Sequence, residues 1–288
     1  MAALSWAIGA SLYKKSLLNI SPLWLNLFRT LPAAVYAFLA LSLLGKWSLL
    51  FKLDMLSLTY VAISTLLVFT LGDTLYFIGL KRVGVAKAVP IAYSYSILVA
   101  AISVAFLGET LTSSILLGTA AVVSGIWLVA GRAEKINDKQ KQSKLGILAA
   151  LGTLICWACG VSIFKIILTN TDPFVLLSAR MLFLLPSLGI LTILSSRKEI
   201  PSRHLTKSAI LTMFLSGLTA IGVGDTLFYF GLERTRANVV APIASTTPLF
   251  AAIIAILFLK EKVSKKVVLG TLLVTAGTII LTFGQSTP

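Results

Sequence analysis

Ten long apolar runs follow one another along the chain, at approximately 2–18, 22–44, 56–80, 84–106, 112–130, 145–168, 173–195, 208–232, 237–259 and 266–284. Each is bounded by charge clusters or turn residues. A helix that spans a bilayer needs roughly 20 mostly apolar residues, so the pattern predicts ten spanning helices. The runs are continuous instead of alternating with period two, which argues against a transmembrane β-barrel. Most connections are only a few residues long, as between packed neighbouring helices. Two are longer: the polar stretch Gly131–Lys144, and residues 196–207, which carry the only histidine, His204. His204 reads as an exposed loop residue.

Composition agrees with the pattern. The chain of 288 residues is 57% hydrophobic and 12% charged, against about 45–50% and about 25% in soluble domains. The class is all-α integral membrane protein. A net charge of +15 raises the question of nucleic acid, but the basic residues are spread over short loops and form no patch interleaved with stacking aromatics. No nucleic-acid partner is expected. The first run does not read as a secretory signal, because Lys14 and Lys15 follow it instead of preceding it. Of the 25 lysines and arginines, 18 fall on the side of the odd-to-even connections and 5 on the side of the termini; Arg29 and Arg180 lie inside helices. The positive-inside rule makes the richer side cytoplasmic, with both termini outside.

The two halves repeat at an offset of 151–152 residues. Gly72-Asp73-Thr74-Leu75-Tyr76 returns as Gly224-Asp225-Thr226-Leu227-Phe228, and Pro90-Ile91-Ala92 as Pro242-Ile243-Ala244. Phe106-Leu107-Gly108-Glu109 returns as Phe258-Leu259-Lys260-Glu261. Trp6 matches Trp157, Lys14 matches Lys165, Arg29 matches Arg180, and Gly118 and Gly125 match Gly270 and Gly277. The organisation is a first five-helix repeat over 1–131, a polar linker at 132–144 and a second repeat over 145–288. Five is odd, so the second copy enters the membrane from the opposite side. Such inverted repeats around a central cavity recur in secondary transporters.

The duplicated set of a Trp in helix 1, an Arg in helix 2, a glycine-rich helix 3 and a Glu turn after helix 4 resembles the EamA-type transporters of the drug/metabolite transporter superfamily. The resemblance covers nearly the whole chain. It implies ten helices in two inverted five-helix repeats, a central cavity, and export or exchange of small metabolites. Many members of that family have cytoplasmic termini, opposite to the loop count. Helix 6 has about six more residues before its Trp than helix 1 has, so helix 1 is either short or continues upstream of Met1.

Charges inside helices are costly and usually have a partner or a task. Arg29 and Asp73 lie at similar depth, as do Arg180 and Asp225, so each half is expected to hold one Arg–Asp pair. Two readings are open. The pairs either neutralise each other and fix packing, or they line the translocation path, with an Asp as proton acceptor and an Arg for an anionic substrate group. Pro90 and Pro242 mark matched breaks in helices 4 and 9, with Pro248 adding a second break in helix 9. Broken helices at corresponding positions point to a transporter binding site. Tyr93, Ser94, Ser245 and Thr246 lie beside them as candidate hydrogen-bonding groups, with Tyr95, Ser96 and Thr247 nearby. Tyr76 and Phe228 share a helix face with the aspartates; these two, Trp6 and Trp157 either line the cavity or pack in the core. The paired glycines of helices 5 and 10 read as a close-packing face, with a homodimer seam as the lesser alternative. Glu109 and Glu261 are expected to cap the helix that follows each.

Cys156-Trp157-Ala158-Cys159 lies in an apolar run and reads as packing. No Walker motif, paired acidic metal motif or Ser-His-Asp set occurs, so no catalytic residue, metal or cofactor is expected. The leading expectation is a secondary transporter of the plasma membrane, multi-pass, monomeric or homodimeric, moving an amino acid or related solute with or without protons. A passive small-solute channel is one alternative. A membrane-embedded enzyme on a lipid-linked substrate is another, which would need clustered acidic or histidine groups.

Overall fold

The computed structural model describes residues 1–17, 20–130, 143–196, 206–259 and 265–283. Among them all regular structure is helical. We number α1 (Ala2–Leu17), α2 (Pro22–Leu43), α3 (Met55–Val83), α4 (Val85–Tyr93, resuming as Tyr95–Phe106), α5 (Ser113–Ala130) and α6 (Lys144–Ile167). They continue as α7 (Pro173–Ser196), α8 (Lys207–Arg234), α9 (Ala237–Ala244, resuming as Thr247–Leu259) and α10 (Lys265–Phe283). A short helical piece, Trp47–Phe51, joins α2 to α3. Among the described residues, nine helices are long and apolar enough to cross a membrane; the apolar part of α1, Ala2–Leu12, is shorter. Val35, Leu43, Leu148, Leu194 and Leu272 are exposed on the outer surface, where hydrocarbon and not water is the compatible solvent. The chain is a multi-pass integral membrane protein.

The helix starts follow local chemistry. Pro22 opens α2 at a position that needs no amide hydrogen. The Asp54 side chain accepts from the Ser57 amide at 3.1 Å, Ser143 from Gly146 at 3.3 Å and Thr206 from Ala209 at 3.2 Å. Hydrogen bonds from the Ser57 side chain and backbone hold the exposed Asp54 carboxyl below its ordinary pKa.

Two irregularities recur in matched places. In α3 and α8 the backbone widens into π-helical turns over Leu66–Gly72 and Gly217–Gly224, ending just before Asp73 and Asp225. Such turns insert an extra residue and disturb the i→i−4 ladder. In α4 and α9 the helix breaks at Ser94 and at Ser245-Thr246, four and three residues beyond the prolines, which themselves sit inside the helical segments. The second break expected in α9 is absent: Pro248 lies in the first turn of the resumed helix, where its missing amide hydrogen costs nothing.

Packing settles the glycine face. Gly118 lies against Gly277, and Gly125 against Gly270, across the antiparallel pair α5 and α10. A Cβ on Gly125 would come within 2.7 Å of the Gly270 carbonyl oxygen, and one on Gly277 within 2.6 Å of that of Gly118. The close approach is thus used within this chain.

The connections meet in pairs at one end of the bundle. Lys46, after α2, reaches Asp172, before α7, at 2.6 Å. Glu109, after α4, does not cap the next helix as expected. Its carboxylate accepts the amides of Ala237 at 2.6 Å and Asn238 at 2.9 Å, capping the start of α9. The difference is tertiary: the nearest unsatisfied helix amides belong to the other half of the chain. Lys165 donates to the carbonyls of Leu232 and Thr235 at the end of α8. Residues 132–142 of the expected linker, His204 and Glu261 lie outside the described residues.

Candidate functional site

The site is built around the two aspartates that follow the π-helical turns. In α3, one Asp73 carboxylate oxygen pairs with the Arg29 guanidinium from α2. The other accepts the indole N–H of Trp157 from α6 at 3.1 Å. In α8, Asp225 pairs with Arg180 from α7 at 2.6 Å and accepts the indole N–H of Trp6 from α1 at 2.8 Å. Each aspartate therefore takes its arginine from its own half of the chain and its tryptophan from the other.

The Gly-Asp doublet has a steric reason. A Cβ at Gly72 would sit 2.8 Å from Trp157 Cδ1, and one at Gly224 would sit 2.6 Å from Trp6 Cδ1. Only glycine leaves room for the indole to reach the next residue's carboxylate. The preceding π-helical turns present a carbonyl at matched positions, Phe69 and Ile221. Asn26 donates to Phe69 O at 2.7 Å and accepts from Arg29 Nε at 3.2 Å. At the matching position stands Leu177, so Arg180 itself donates to Ile221 O, at 3.1 Å. Its Nε is left buried with no hydrogen-bond partner.

The second difference is Tyr229, where the first half has Phe77. Arg180 donates to the Tyr229 hydroxyl oxygen at 2.5 Å, and its guanidinium carbon lies 4.2 Å from the Phe69 ring centre. Arg180 is fully buried, its terminal nitrogens held by Tyr229, Ile221 O and Asp225. Arg29 lies 4.9 Å over the Phe77 ring and shows one face to an internal cavity.

That cavity has a volume of about 100 Å³, room for several waters or one small solute. Its wall brings together Trp6, Arg29, Asp73, Tyr76, Tyr93, Trp157, Asp225 and Phe228 of the expected residues. Arg180 stands behind Asp225, off the wall. Pro90, Ser94, Pro242, Ser245 and Thr246 are also off it. Ser94 donates to Pro90 O, Ser245 to Ala241 O and Thr246 to Ile243 O, the carbonyls that also accept these residues' own amides, so their hydroxyls are turned onto the backbone at the helix breaks. Tyr95, Tyr229, Phe69 and Phe164 also stand on the wall, with smaller apolar residues and Phe77 between them. The first two carried a sequence signal, since Tyr95 adjoins the α4 break and Tyr229 follows Phe228. Phe69 and Phe164 carried none, being apolar residues in apolar helices. Cys156 and Cys159 are free thiols off the wall, and among the described residues no group of metal ligands occurs.

The chain is similar to known proteins along its whole length. A transporter of Archaeoglobus fulgidus, whose function is uncharacterized, is 28% identical over 281 residues, covering 97% of this chain and 95% of its own. The inner membrane transporter YhbE of Escherichia coli K12, likewise uncharacterized, is 28% identical over 142 residues, 49% of this chain and 44% of its own. A solved crystal structure superposes with a TM-score of 0.83 at 16% identity, covering 100% of this chain and 96% of that one, a likeness of fold alone. Residues 1–131 and 144–283 match the EamA-like transporter family, and the chain is a member of that family.

Proposed function

We infer that the protein is a secondary active transporter of the plasma membrane that moves a small organic metabolite by alternating access. Ten helices, as two inverted five-helix repeats over 1–131 and 145–288 joined by a linker at 132–144, carry a cavity walled by α1, α2, α3, α4, α6 and α8; α9, expected beside it, and α7 stand behind that wall. The solute is an amino acid or related molecule, exported or exchanged, and a proton accompanies it when its charge requires one. The loop charges orient the termini outward.

The observation that carries this reading is the crossed bonding of the aspartates. Each carboxylate on the cavity wall bonds an arginine of its own half and a tryptophan of the other. Any movement of one half against the other has to change the Trp–Asp bonds while leaving the Arg–Asp pairs whole. A ligand entering the cavity competes for the same carboxylates and arginine, so occupancy and the relative position of the halves are energetically linked.

The test has two stages. A thermal-stability screen of the purified protein against a metabolite panel identifies ligands, since binding the native state alone adds about 2.7 kcal/mol at a hundredfold excess over Kd. Liposomes holding the protein and preloaded with the unlabelled hit are then given labelled hit outside. A carrier concentrates label transiently by counterflow. Simple equilibration marks a passive channel and overturns the reading.

A further inference from the structure

If the carrier reading holds, the cavity has a charge rule that narrows its substrate. Among the described residues the charged groups at the site are Arg29, Asp73 and Asp225 on the wall, and Arg180 behind Asp225; formally they cancel. A net charge enclosed between apolar helices in a bilayer is strongly disfavoured, so the occupied site has to stay near neutral.

The ways it can do so are set by the groups present. Around Asp73 stand Arg29 from α2, Trp157 from α6, Tyr93 and Tyr95 from α4, Tyr76 on α3 itself, and Asp225 and Tyr229 from α8. On α6, Cys156 and Cys159 are off the wall, and Lys165 is held on the carbonyls of Leu232 and Thr235. Guanidinium groups do not lose their proton, and tyrosine hydroxyls and thiols are neutral around pH 7. The carboxylates can take up a proton. Among the described residues, then, the site has groups that can gain a positive charge and none that sheds one.

The two halves differ in which arginine can receive an anion. Arg180 spends its guanidinium on Asp225, Ile221 O and Tyr229 and does not reach the wall. Arg29 does reach it, beside Asp73. The rest of the surface is aromatic. Trp157 has Tyr76, Tyr93 and Tyr95 within 5.1–5.8 Å, with Tyr93 and Tyr95 at 78° and 84° to its plane, and Trp6 lies 5.1 Å from Phe228. Such walls favour a flat apolar body.

We propose that the cavity accepts aromatic or apolar solutes that are zwitterionic or bear one carboxylate, that Arg29 binds the carboxylate, and that organic cations are excluded. A carboxylate solute arrives with one proton from the same aqueous side. The proton bonds to an Asp73 oxygen, and the Arg29 ion pair passes from Asp73 to the solute, leaving the site neutral. A zwitterion is neutral already and brings no proton. A cation meets no group able to release one. Asp225 keeps its pair with Arg180 throughout.

The experiment measures Kd by tryptophan fluorescence on the purified full-length protein, using three probes that share a phenyl ring: phenylacetate, phenylalanine and phenethylamine. Between about pH 6.5 and pH 8 phenylacetate stays an anion, phenylalanine predominantly a zwitterion and phenethylamine a cation. Phenylacetate is expected to bind with a Kd rising about tenfold per pH unit, the signature of one linked proton. Phenylalanine binds with a flat profile, and phenethylamine binds at least tenfold more weakly than phenylalanine. Asp73→Asn flattens the phenylacetate profile, whereas Asp225→Asn weakens binding but keeps the slope. Should Asp73→Asn fail to fold, the slope of the unaltered protein still decides the proton linkage. A flat phenylacetate profile, phenethylamine binding as tightly as phenylalanine, no binding of phenylacetate or phenylalanine, or a slope that follows Asp225 overturns the proposal. Binding is read without transport, so a protein that obeys the charge rule but fails counterflow overturns only the carrier reading.

Discussion

Asn26 is the residue that separates the two arginine sites. It ties the Phe69 carbonyl and Arg29 Nε together, and its counterpart Leu177 leaves Arg180 Nε without a partner. Asn26→Leu therefore removes two buried hydrogen bonds, one to a carbonyl and one from a charged donor. The expected loss is about 1–3 kcal/mol in all, read as a lowered thermal midpoint of the purified protein. Gly72 and Gly224 make a second prediction. Gly224→Ala drives a methyl group into the Trp6 indole and is expected to cost about 1–3 kcal/mol by overpacking. It also detaches the indole N–H from Asp225, so tryptophan emission shifts and ligand affinity falls together. An unchanged spectrum and affinity would show that the doublet has another purpose. The charged members of this network stand out in sequence because charge inside an apolar run is conspicuous. The roles of Asn26 and the glycines do not, since they depend on which helix lies opposite.

For the helices themselves, periodicity and punctuation carried most of the information. The apolar runs correspond to α1–α10 to within a few residues, apart from the short piece Trp47–Phe51. What the runs could not disclose is irregularity within a helix. The π-helical turns leave the apolar pattern intact, because every residue in them is apolar, small or a threonine. Likewise, a proline announces a break but not its place: α4 and α9 give way beyond Pro90 and Pro242, where serine and threonine hydroxyls turn back onto carbonyls of the preceding turn. Glu109 is the clearest case of a residue assigned to the wrong helix by proximity in sequence. Glu109→Ala removes the cap of α9, and the expected loss is about 1–2 kcal/mol, with Glu109→Gln losing less because an amide oxygen still accepts. Thermal unfolding of both variants checks the order.

At the scale of the whole molecule, orientation is the property most open to direct measurement. From the loop charges, the side holding the linker is expected to be cytoplasmic. A cysteine at position 138, in a background lacking Cys156 and Cys159, is then expected to react with a membrane-impermeant thiol reagent only after the membrane is opened. Labelling of intact cells from outside would reverse the orientation. The family was legible from the duplicated motifs, because a repeat at one offset constrains many positions at once, and the helical membrane class from apolar length. The Arg–Asp pairs were legible from depth, and the structure joins them as expected.

By itself, then, the sequence determined a membrane-embedded helical chain, a duplicated plan and four intramembrane charges, because apolar length, repetition and isolated charge are properties of linear order. The tertiary structure alone decided that each tryptophan crosses to the other half's aspartate, that Glu109 caps α9, and that the glycines of α5 and α10 meet within one chain. It alone decided, too, that the two matched arginines are unequal, one facing the cavity and one sealed behind it. Those outcomes depend on which surfaces lie within a few ångströms of each other, and that is fixed only when distant helices pack.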